Sequence, residues 1–333
     1  MPVRVASPRR SSFFIAAGQI SAFVVTSEGL RAHPAYVDLA SVQHHLTGLR
    51  FQLEKFGLGA AYARVHTMAL RRSAAHPLEA LSTRLLEPLE AELGDRRLVV
   101  IPHGPLHYIP FHALRRGDGR YMIESNELSY APSATVHSLC ADRPEARAGG
   151  MLALGISDAS APHIVEELRS IAECFPDTVR LEDERASKAS FLDLAPRSRF
   201  LHLATHGHFR QDNPMFSSVQ LADGPLSFYD VFDLELNADL VTLSACNTGL
   251  NELSSGDELS GLMRGFLYAG APSLVVSLWA VNDRSTCELM QSFYQKLAAG
   301  VPKRTALRSA QLEALERYGH PYYWAPFILM GKA

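Results

Sequence analysis

Cysteine is scarce in this chain: among 333 residues there are four, Cys140, Cys174, Cys246 and Cys287. They form no C-x-x-C pair of the kind found in zinc and redox sites, and they are too few for a small disulfide-rich scaffold. This cysteine usage is typical of proteins kept in a reducing compartment. We therefore expect a cytoplasmic protein.

Two further absences narrow the choice of partners. The 35 acidic and 32 basic residues leave a formal net charge of −3, so the basic excess that binds nucleic acid or anionic membranes is missing. No stretch supplies the roughly 18 consecutive apolar residues that a membrane-spanning helix needs. We expect neither nucleic acid nor a membrane among the partners.

The apolar stretch at positions 13–25 has two interpretations. Arg4, Arg9 and Arg10 precede it, as basic residues precede the apolar part of a secretory signal. However, Gly18-Gln19 divides the stretch into two short, β-favouring halves, and no small-residue cleavage site follows cleanly. The pattern favours a β-hairpin over a signal peptide.

Most of the remaining pattern predicts an α/β protein. Apolar residues at helical spacing predict a helix over 39–56, and a second helical stretch runs over 77–92, with Pro77 in its first turn. Pro88 within the second stretch implies either a kink or two short helices. A buried strand is expected at 98–102 and a linker at 143–150. From Met151 onward strands and helices alternate, which predicts a mostly parallel sheet with helices on both faces. Strands are expected there at 151–156, 178–181 and 273–278, in addition to the two described next. Helices are expected at 165–175, 187–194 and 257–269, and two more between 284 and 317.

Two apolar strands in this region end in reactive residues. One runs from Phe200 to His206 and the other from Leu240 to Cys246, and each is followed by a Gly-containing turn. The carboxyl ends of parallel strands meet at one edge of a sheet, where ligands bind. A thiol held near an imidazole there can act as a nucleophile with the imidazole as base. The order, His before Cys, is that of caspase-like rather than papain-like cysteine peptidases.

Other roles for these residues stay open at this point. A lone strand-end cysteine is often a small buried apolar residue, and a lone histidine often caps a carbonyl. His202, His206 and His208 could also suggest a metal site, but alternate strand side chains face opposite ways and no nearby residues complete a familiar ligand set. We expect His208 to lie on the other side of the turn from His206.

Several motifs together resemble the CHAT domain, a member of the caspase–separase clan of cysteine peptidases. The resemblance extends from about Pro77 to the C-terminus. The segments that carry it are Ile101–Phe111, Thr205–His208, Ser244–Gly249, Gly256–Leu262, Ser277–Asp283 and Tyr323–Phe327.

The resemblance implies a caspase-like α/β fold and a cysteine endopeptidase that cleaves a protein substrate. It makes His206 the general base and Cys246 the nucleophile, with the backbone N–H groups of Gly207 and Cys246 as the oxyanion hole. Asp212, near the loop that carries His206, is a candidate to orient His206. No metal and no other cofactor are expected. The expected organisation is an N-terminal hairpin and helical extension over 1–76 and a CHAT domain over 77–333, with 77–148 a non-catalytic half and 149–333 the catalytic half.

Asp283 matches the position that receives a basic P1 side chain in separase-like relatives. It would equally suit the N-cap of a helix beginning at Arg284, so both roles are kept. Asn282 departs from the acidic residue that the family often has there, which removes one negative charge. Asp257 and Glu258 match a family motif, and we expect them to cap and hold the helix that follows.

The partners implied are a protein substrate and a regulatory or sensor protein, because CHAT domains commonly accompany tetratricopeptide repeats or other sensor modules. The alternative is a caspase-like scaffold without catalysis that relays a signal by binding other proteins.

Overall fold

The structure is a computed structural model that describes residues 9–94, 97–146, 149–208, 216–244, 246–247 and 260–333. The chain divides into two compact units, one ending at Ala134 and the other beginning at Thr135. Among the described residues, no helix is long and apolar enough to cross a membrane.

The first unit contains five hydrogen-bonded strands of a β-sheet, in the order β3-β2-β1-β4-β5. Its strands are β1 Arg9–Ala16, β2 Gln19–Thr26, β3 Gly29–Asp38, β4 Arg97–Ile101 and β5 Glu127–Tyr130. Its α-helices are α1 Leu39–Glu54, α2 Ala60–Val65, α3 Thr67–Leu85, α4 Glu90–Leu93 and α5 Met122–Ser125.

The predicted N-terminal hairpin is confirmed. Strands β1 and β2 are antiparallel and close with Ala16 opposite Gln19. The two residues between them, Ala17 and Gly18, both have positive φ angles, 49° and 74°. A two-residue turn with this geometry matches the twist of the two strands that it connects. Strand β1 also pairs in parallel with β4, and the Leu98 strand predicted from the sequence therefore lies inside this sheet.

The prediction that Pro77 begins a helix was wrong. Helix α3 begins at Thr67 and carries Pro77 in its interior, with the proline buried. Leu70, Ala74 and Leu78 follow the same buried face across the proline, so burial of this face stabilises the helix despite the lost backbone N–H.

The second unit is built on six hydrogen-bonded strands of a β-sheet, in the order β15-β14-β12-β8-β6-β7. All neighbouring strands in it are parallel except β15, which runs antiparallel to β14. Its strands are β6 Met151–Gly155, β7 Thr178–Glu182, β8 Phe200–Ala204, β12 Leu240–Leu243, β14 Ser273–Ser277 and β15 Phe327–Gly331. The helices are α6 Ala134–Asp142, which starts at the boundary, α7 Ile164–Cys174, α8 Lys188–Leu194, α9 Phe228–Phe232, α10 Ser260–Ala269, α11 Asp283–Ala298, α12 Lys303–Tyr318 and α13 Pro321–Trp324.

A smaller sheet of the second unit follows the carboxyl ends of β8 and β12. Its order is β11-β10-β9-β13, with strands β9 His206–His208, β10 Ser218–Leu221, β11 Gly224–Ser227 and β13 Cys246–Asn247. The predicted fold class, a mostly parallel α/β sheet with an N-terminal hairpin and helical extension, is confirmed. The small sheet was not predicted.

Candidate active site

The carboxyl ends of three parallel strands of the second unit, β6, β8 and β12, lie side by side at one edge of the sheet. Strand β8 lies between β6 and β12, with His202 opposite both Ala153 and Thr242. Every residue of β8 and β12 is buried, as their apolar sequences predict. The segments that leave β6, β8 and β12 therefore start side by side, which is where an open α/β sheet builds a ligand site.

The small sheet brings His206 and Cys246 together. Strand β13 runs parallel to β9, with the backbone of Cys246 directly opposite that of His206 and Asn247 opposite Gly207. Neighbouring strands lie about 4.8 Å apart. Two residues 40 positions apart in the sequence are thus nearest neighbours across a strand pair.

Gly207 lies inside β9, where it is buried and paired with Val219 on one side and Asn247 on the other. The exposed turn expected at this position was wrong, because the chain continues as a short strand that hydrogen-bonds to two neighbours.

The His206 ring has a carboxylate partner that the sequence did not reveal. Its Nε2 lies 2.8 Å from Oδ2 of Asp158, with the His206 side chain 25% exposed and the Asp158 side chain 48% exposed. The Ser160 hydroxyl and backbone N–H both donate to Asp158, and these bonds hold the pKa of that carboxyl well below its usual range. Asp212, the orienting residue considered from the sequence, lies outside the described residues, as do Asp257 and Glu258.

The loop after β6 is fixed at three points. Ser157 donates its backbone N–H and its hydroxyl to Oδ1 of Asp183, at 3.0 and 3.1 Å. Asp158 bonds to His206, and the backbone N–H of His163 donates to Oδ2 of Asp283 at 2.9 Å. This loop therefore contacts both the proposed base and the proposed specificity residue.

Gly155 permits the close packing that sets the start of this loop. A Cβ at this position would lie 2.6 Å from Cγ2 of Ile164, 2.8 Å from Cδ1 of Leu168 and 3.0 Å from the carbonyl oxygen of Ala204. The first two distances are shorter than real Cβ atoms show, so any larger residue here would force Ile164 and Leu168 of α7 to shift away from the end of β6.

Asp283 is the first residue of α11, and the cap role considered for it belongs to its neighbour. The side chain of Asn282 accepts the backbone N–H of Ser285 at 3.0 Å, so Asn282 is the N-cap. Burial raises the pKa of Asp283 above its usual value. One of its carboxylate oxygens is used by His163, and its role toward substrate stays a prediction.

The three histidines of the H-x3-H-x-H pattern fall on two different sheets. His202 lies in β8, fully buried, with Nδ1 3.1 Å from the Tyr294 hydroxyl and Nε2 2.8 Å from Oε1 of Glu167. His206 and His208 lie in β9 of the small sheet. Within the described ranges, no group of three or more His, Cys, Asp or Glu side chains is arranged to hold a metal ion.

Comparison with known protein families decides the classification. The family model of the CHAT domain matches residues 75–332. This chain belongs to the CHAT domain family. Tetratricopeptide repeat protein 28 of Mus musculus and that of Homo sapiens are each 26% identical to it over 327 aligned residues. The alignment covers 77% of this CHAT chain but only 13% of either relative.

Solved structures show the same fold at low sequence identity. The separase–securin complex of Saccharomyces cerevisiae matches 98% of this CHAT chain and 30% of the compared chain, with a TM-score of 0.68 and 9% identity. The structure of the Arg-specific cysteine proteinase gingipain R is also similar. The match covers 78% of this chain and 68% of the gingipain chain, with a TM-score of 0.51 and 9% identity. These likenesses show that the CHAT domain has the caspase-like fold of cysteine peptidases.

Proposed function

We propose that this CHAT domain is a cysteine endopeptidase, with Cys246 as nucleophile and His206 as general base. The observation that carries the proposal is the register of the small sheet, which sets the two backbones directly opposite each other. The carboxylate of Asp158 within hydrogen-bond distance of the His206 ring supports it, because an imidazole used as a base needs a fixed orientation.

In the proposed reaction, His206 accepts the thiol proton and the Cys246 sulfur attacks the substrate carbonyl carbon. The C–N bond then breaks, His206 returns the proton to the leaving amine, and a thioester remains on Cys246. Water, deprotonated by His206, hydrolyses the thioester and releases the second product. The backbone N–H groups of Gly207 and Cys246 are the proposed donors to the negative oxygen that forms at each step.

We further propose that Asp283 gives a preference for Arg or Lys at P1. Its carboxylate is partly buried at the start of α11, the helix that follows β14, and the backbone N–H of His163 binds one of its oxygens. A carboxylate shielded from water binds a guanidinium more strongly than an exposed one, through charge-assisted hydrogen bonds.

A protein partner is proposed as the regulator of this activity. Two relatives of this chain are named for tetratricopeptide repeats, and the separase structure is a complex with securin. For the chain itself, the proposed division is an extension over 1–76 and a CHAT domain over 77–333, whose catalytic half is 149–333.

Covalent labelling tests the proposal. The chain is incubated with an acyloxymethyl ketone that carries Arg at P1, and its intact mass is measured. We expect one adduct on Cys246 and none on the Cys246→Ala variant. Burial raises the pKa of the other three thiols, Cys140, Cys174 and Cys287, the last to about 12, so they stay protonated and react slowly.

The alternative to catalysis is a scaffold that acts by binding. A folded wild-type chain that takes up no label, with or without a basic P1 group, would favour that alternative. Labelling that persists in Cys246→Ala would contradict the assignment of the nucleophile.

A further inference from the structure

The two carboxylate oxygens of Asp158 have different partners. Oδ1 accepts three hydrogen bonds, from the backbone N–H and the hydroxyl of Ser160 at 2.8 and 2.6 Å and from the backbone N–H of Ala161 at 3.0 Å. Oδ2 faces Nε2 of His206 at 2.8 Å. The loop after β6 thus holds the carboxylate by one oxygen and presents the other to the imidazole.

This arrangement determines where the imidazole carries its proton. An ionised carboxylate can only accept hydrogen bonds, so Nε2 of His206 must be the donor. In the neutral ring the proton then resides on Nε2, and Nδ1 is left with its lone pair. We propose that Asp158 is a positioning residue that fixes His206 in the Nε2–H tautomer, so that Nδ1 is the nitrogen that accepts the proton from Cys246. The part of this inference that concerns Cys246 rests on the proposed function.

The three donors around Oδ1 make the Asp158→Asn variant an unusually sharp test. Two backbone N–H groups and a hydroxyl already point at that position, so the amide oxygen of an asparagine must occupy it. The amide NH2 group then takes the place of Oδ2 and faces Nε2 of His206 as a donor. Nε2 must now accept, which moves the ring proton to Nδ1 and blocks the nitrogen that the reaction needs.

Asp158→Asn is therefore expected to be more harmful than Asp158→Ala. Alanine removes the partner but leaves the ring free to adopt either tautomer, whereas asparagine imposes the unproductive one. A buried triad carboxylate replaced by its amide costs about 10⁴ in rate. Asp158 is half exposed and water competes with it, so we expect about a 100-fold loss for asparagine and about 10-fold for alanine.

Asp193→Asn is the matched control. Asp193 belongs to the same unit, is exposed, and makes a comparable ion pair with Arg197 at 2.7 Å. The variant makes the same change of charge and leaves His206 untouched. Ser160→Ala is a second, milder variant, because it removes the hydroxyl donor and leaves both backbone donors to Oδ1.

Two measurements complete the test. Long-range 1H–15N spectra, recorded where the imidazole is neutral, report the His206 tautomer without any need for catalysis. The rate of labelling of Cys246 by the Arg-P1 acyloxymethyl ketone reports the reaction. We expect the Nε2–H form in the wild type, Asp193→Asn and Ser160→Ala, and the Nδ1–H form in Asp158→Asn. Labelling should be slowest in Asp158→Asn, faster in Asp158→Ala and fastest in the wild type.

Failure of this inference and failure of the proposed function give different results. A His206 ring that keeps its tautomer in Asp158→Asn, or a labelling rate equal to that of the wild type, would overturn the inference even if Cys246 is the nucleophile. A tautomer that moves to Nδ1–H in a chain that never labels would support the role of Asp158 toward the ring and contradict the peptidase.

Discussion

His206 and His208 lie two residues apart in β9, at positions that share one face of a strand. The expectation that His208 would lie on the far side of a turn was therefore wrong. His208 is opposite Ser218, whereas Cys246 is opposite His206. His208→Ala is consequently a close control for the proposed base, since it removes the same side chain from the same strand.

We expect His206→Ala to slow labelling and peptide cleavage by several orders of magnitude, because it removes the group that activates the thiol and protonates the leaving amine. His208→Ala should change these rates by less than about 10-fold on the same reasoning. The comparison is made from kcat/KM with one basic-P1 peptide. Equal losses in the two variants would argue against a unique base.

Asp283 gives a prediction about charge and pH. Asp283→Ala should lower kcat/KM for Arg-P1 peptides by about 10- to 1000-fold, the effect of losing a charge-assisted hydrogen bond and some positioning. Peptides with a neutral P1 residue should be affected much less. A variant that loses thermal stability with its P1 preference unchanged would place the pocket elsewhere.

The raised pKa of Asp283 fixes the sign of the pH effect. Only the ionised carboxylate attracts a basic P1 group, so the preference for Arg over neutral residues is present at neutral pH. It should be lost as pH falls, and lost at a higher pH than an ordinary aspartate would require. The ratio of kcat/KM values for the two peptides, followed from neutral to acid pH, measures this.

The sequence could predict His206 and Cys246 because each follows an apolar strand, and parallel strands bring such positions to one edge. It could not predict the bond between Asp158 and His206, although Asp158 also follows a strand of that edge. Which side chain meets which depends on how the loop folds, and local pattern does not encode this. The sequence also suggested Asp283 as the N-cap of α11, whereas the structure shows Asn282 in that role. Both residue types cap helices well, so the sequence alone does not choose between neighbours.

At the scale of elements, Gly155 sets the distance between β6 and α7. Gly155→Ala would push a methyl group against Ile164, Leu168 and the Ala204 carbonyl, which we expect to cost about 1–3 kcal/mol in the free energy of unfolding. Because the displaced loop carries Asp158, the labelling rate should fall as well. Urea unfolding and labelling are the measurements.

Gly48→Ala is the control for this substitution. A Cβ at Gly48 would meet nothing within 4 Å, and the residue lies inside α1. The variant should be neutral or more stable by up to about 1 kcal/mol. If the two alanine variants were equally stable, the packing around Gly155 would not be as tight as the distances indicate.

The elements with a strong local signal were the predictable ones. The hairpin and the helix beginning at Leu39 are long enough for a period to show, and strands β6, β8, β12 and β14 are short apolar runs that are buried throughout. Strands β9 and β13 contain three and two residues, too few for any pattern, and they exist because backbone groups beyond β8 and β12 find partners in each other. The proposed site is built on the elements that periodicity detects least well.

At the scale of the whole molecule, the proposed extension over 1–76 shares a sheet with the segment that follows it. Strand β1 pairs with β4 along four residues, from Arg9 opposite Leu98 to Ser12 opposite Ile101. A chain beginning at residue 77 would leave that edge of β4 unpaired and would begin within α3.

We therefore expect a chain shortened to 77–333 to aggregate or to lose cooperative unfolding, because an apolar strand edge and a buried helix face become exposed. A chain beginning at Arg9 retains every strand of this sheet and is the control. Soluble yield and thermal unfolding followed by circular dichroism decide the outcome. A shortened chain as stable as the control would show that the extension is dispensable for folding.

The alignment of His206 with Cys246 continues a register that begins in the large sheet. Leu203 lies opposite Leu243, and three residues further along each strand His206 lies opposite Cys246. What must be conserved is therefore this pair of equal three-residue steps, whereas the 35 residues between the end of β8 and the start of β12 are free to change in number. Homologues can gain or lose whole segments between the strands and keep the dyad, whereas one residue inserted after Leu203 alone would misalign it.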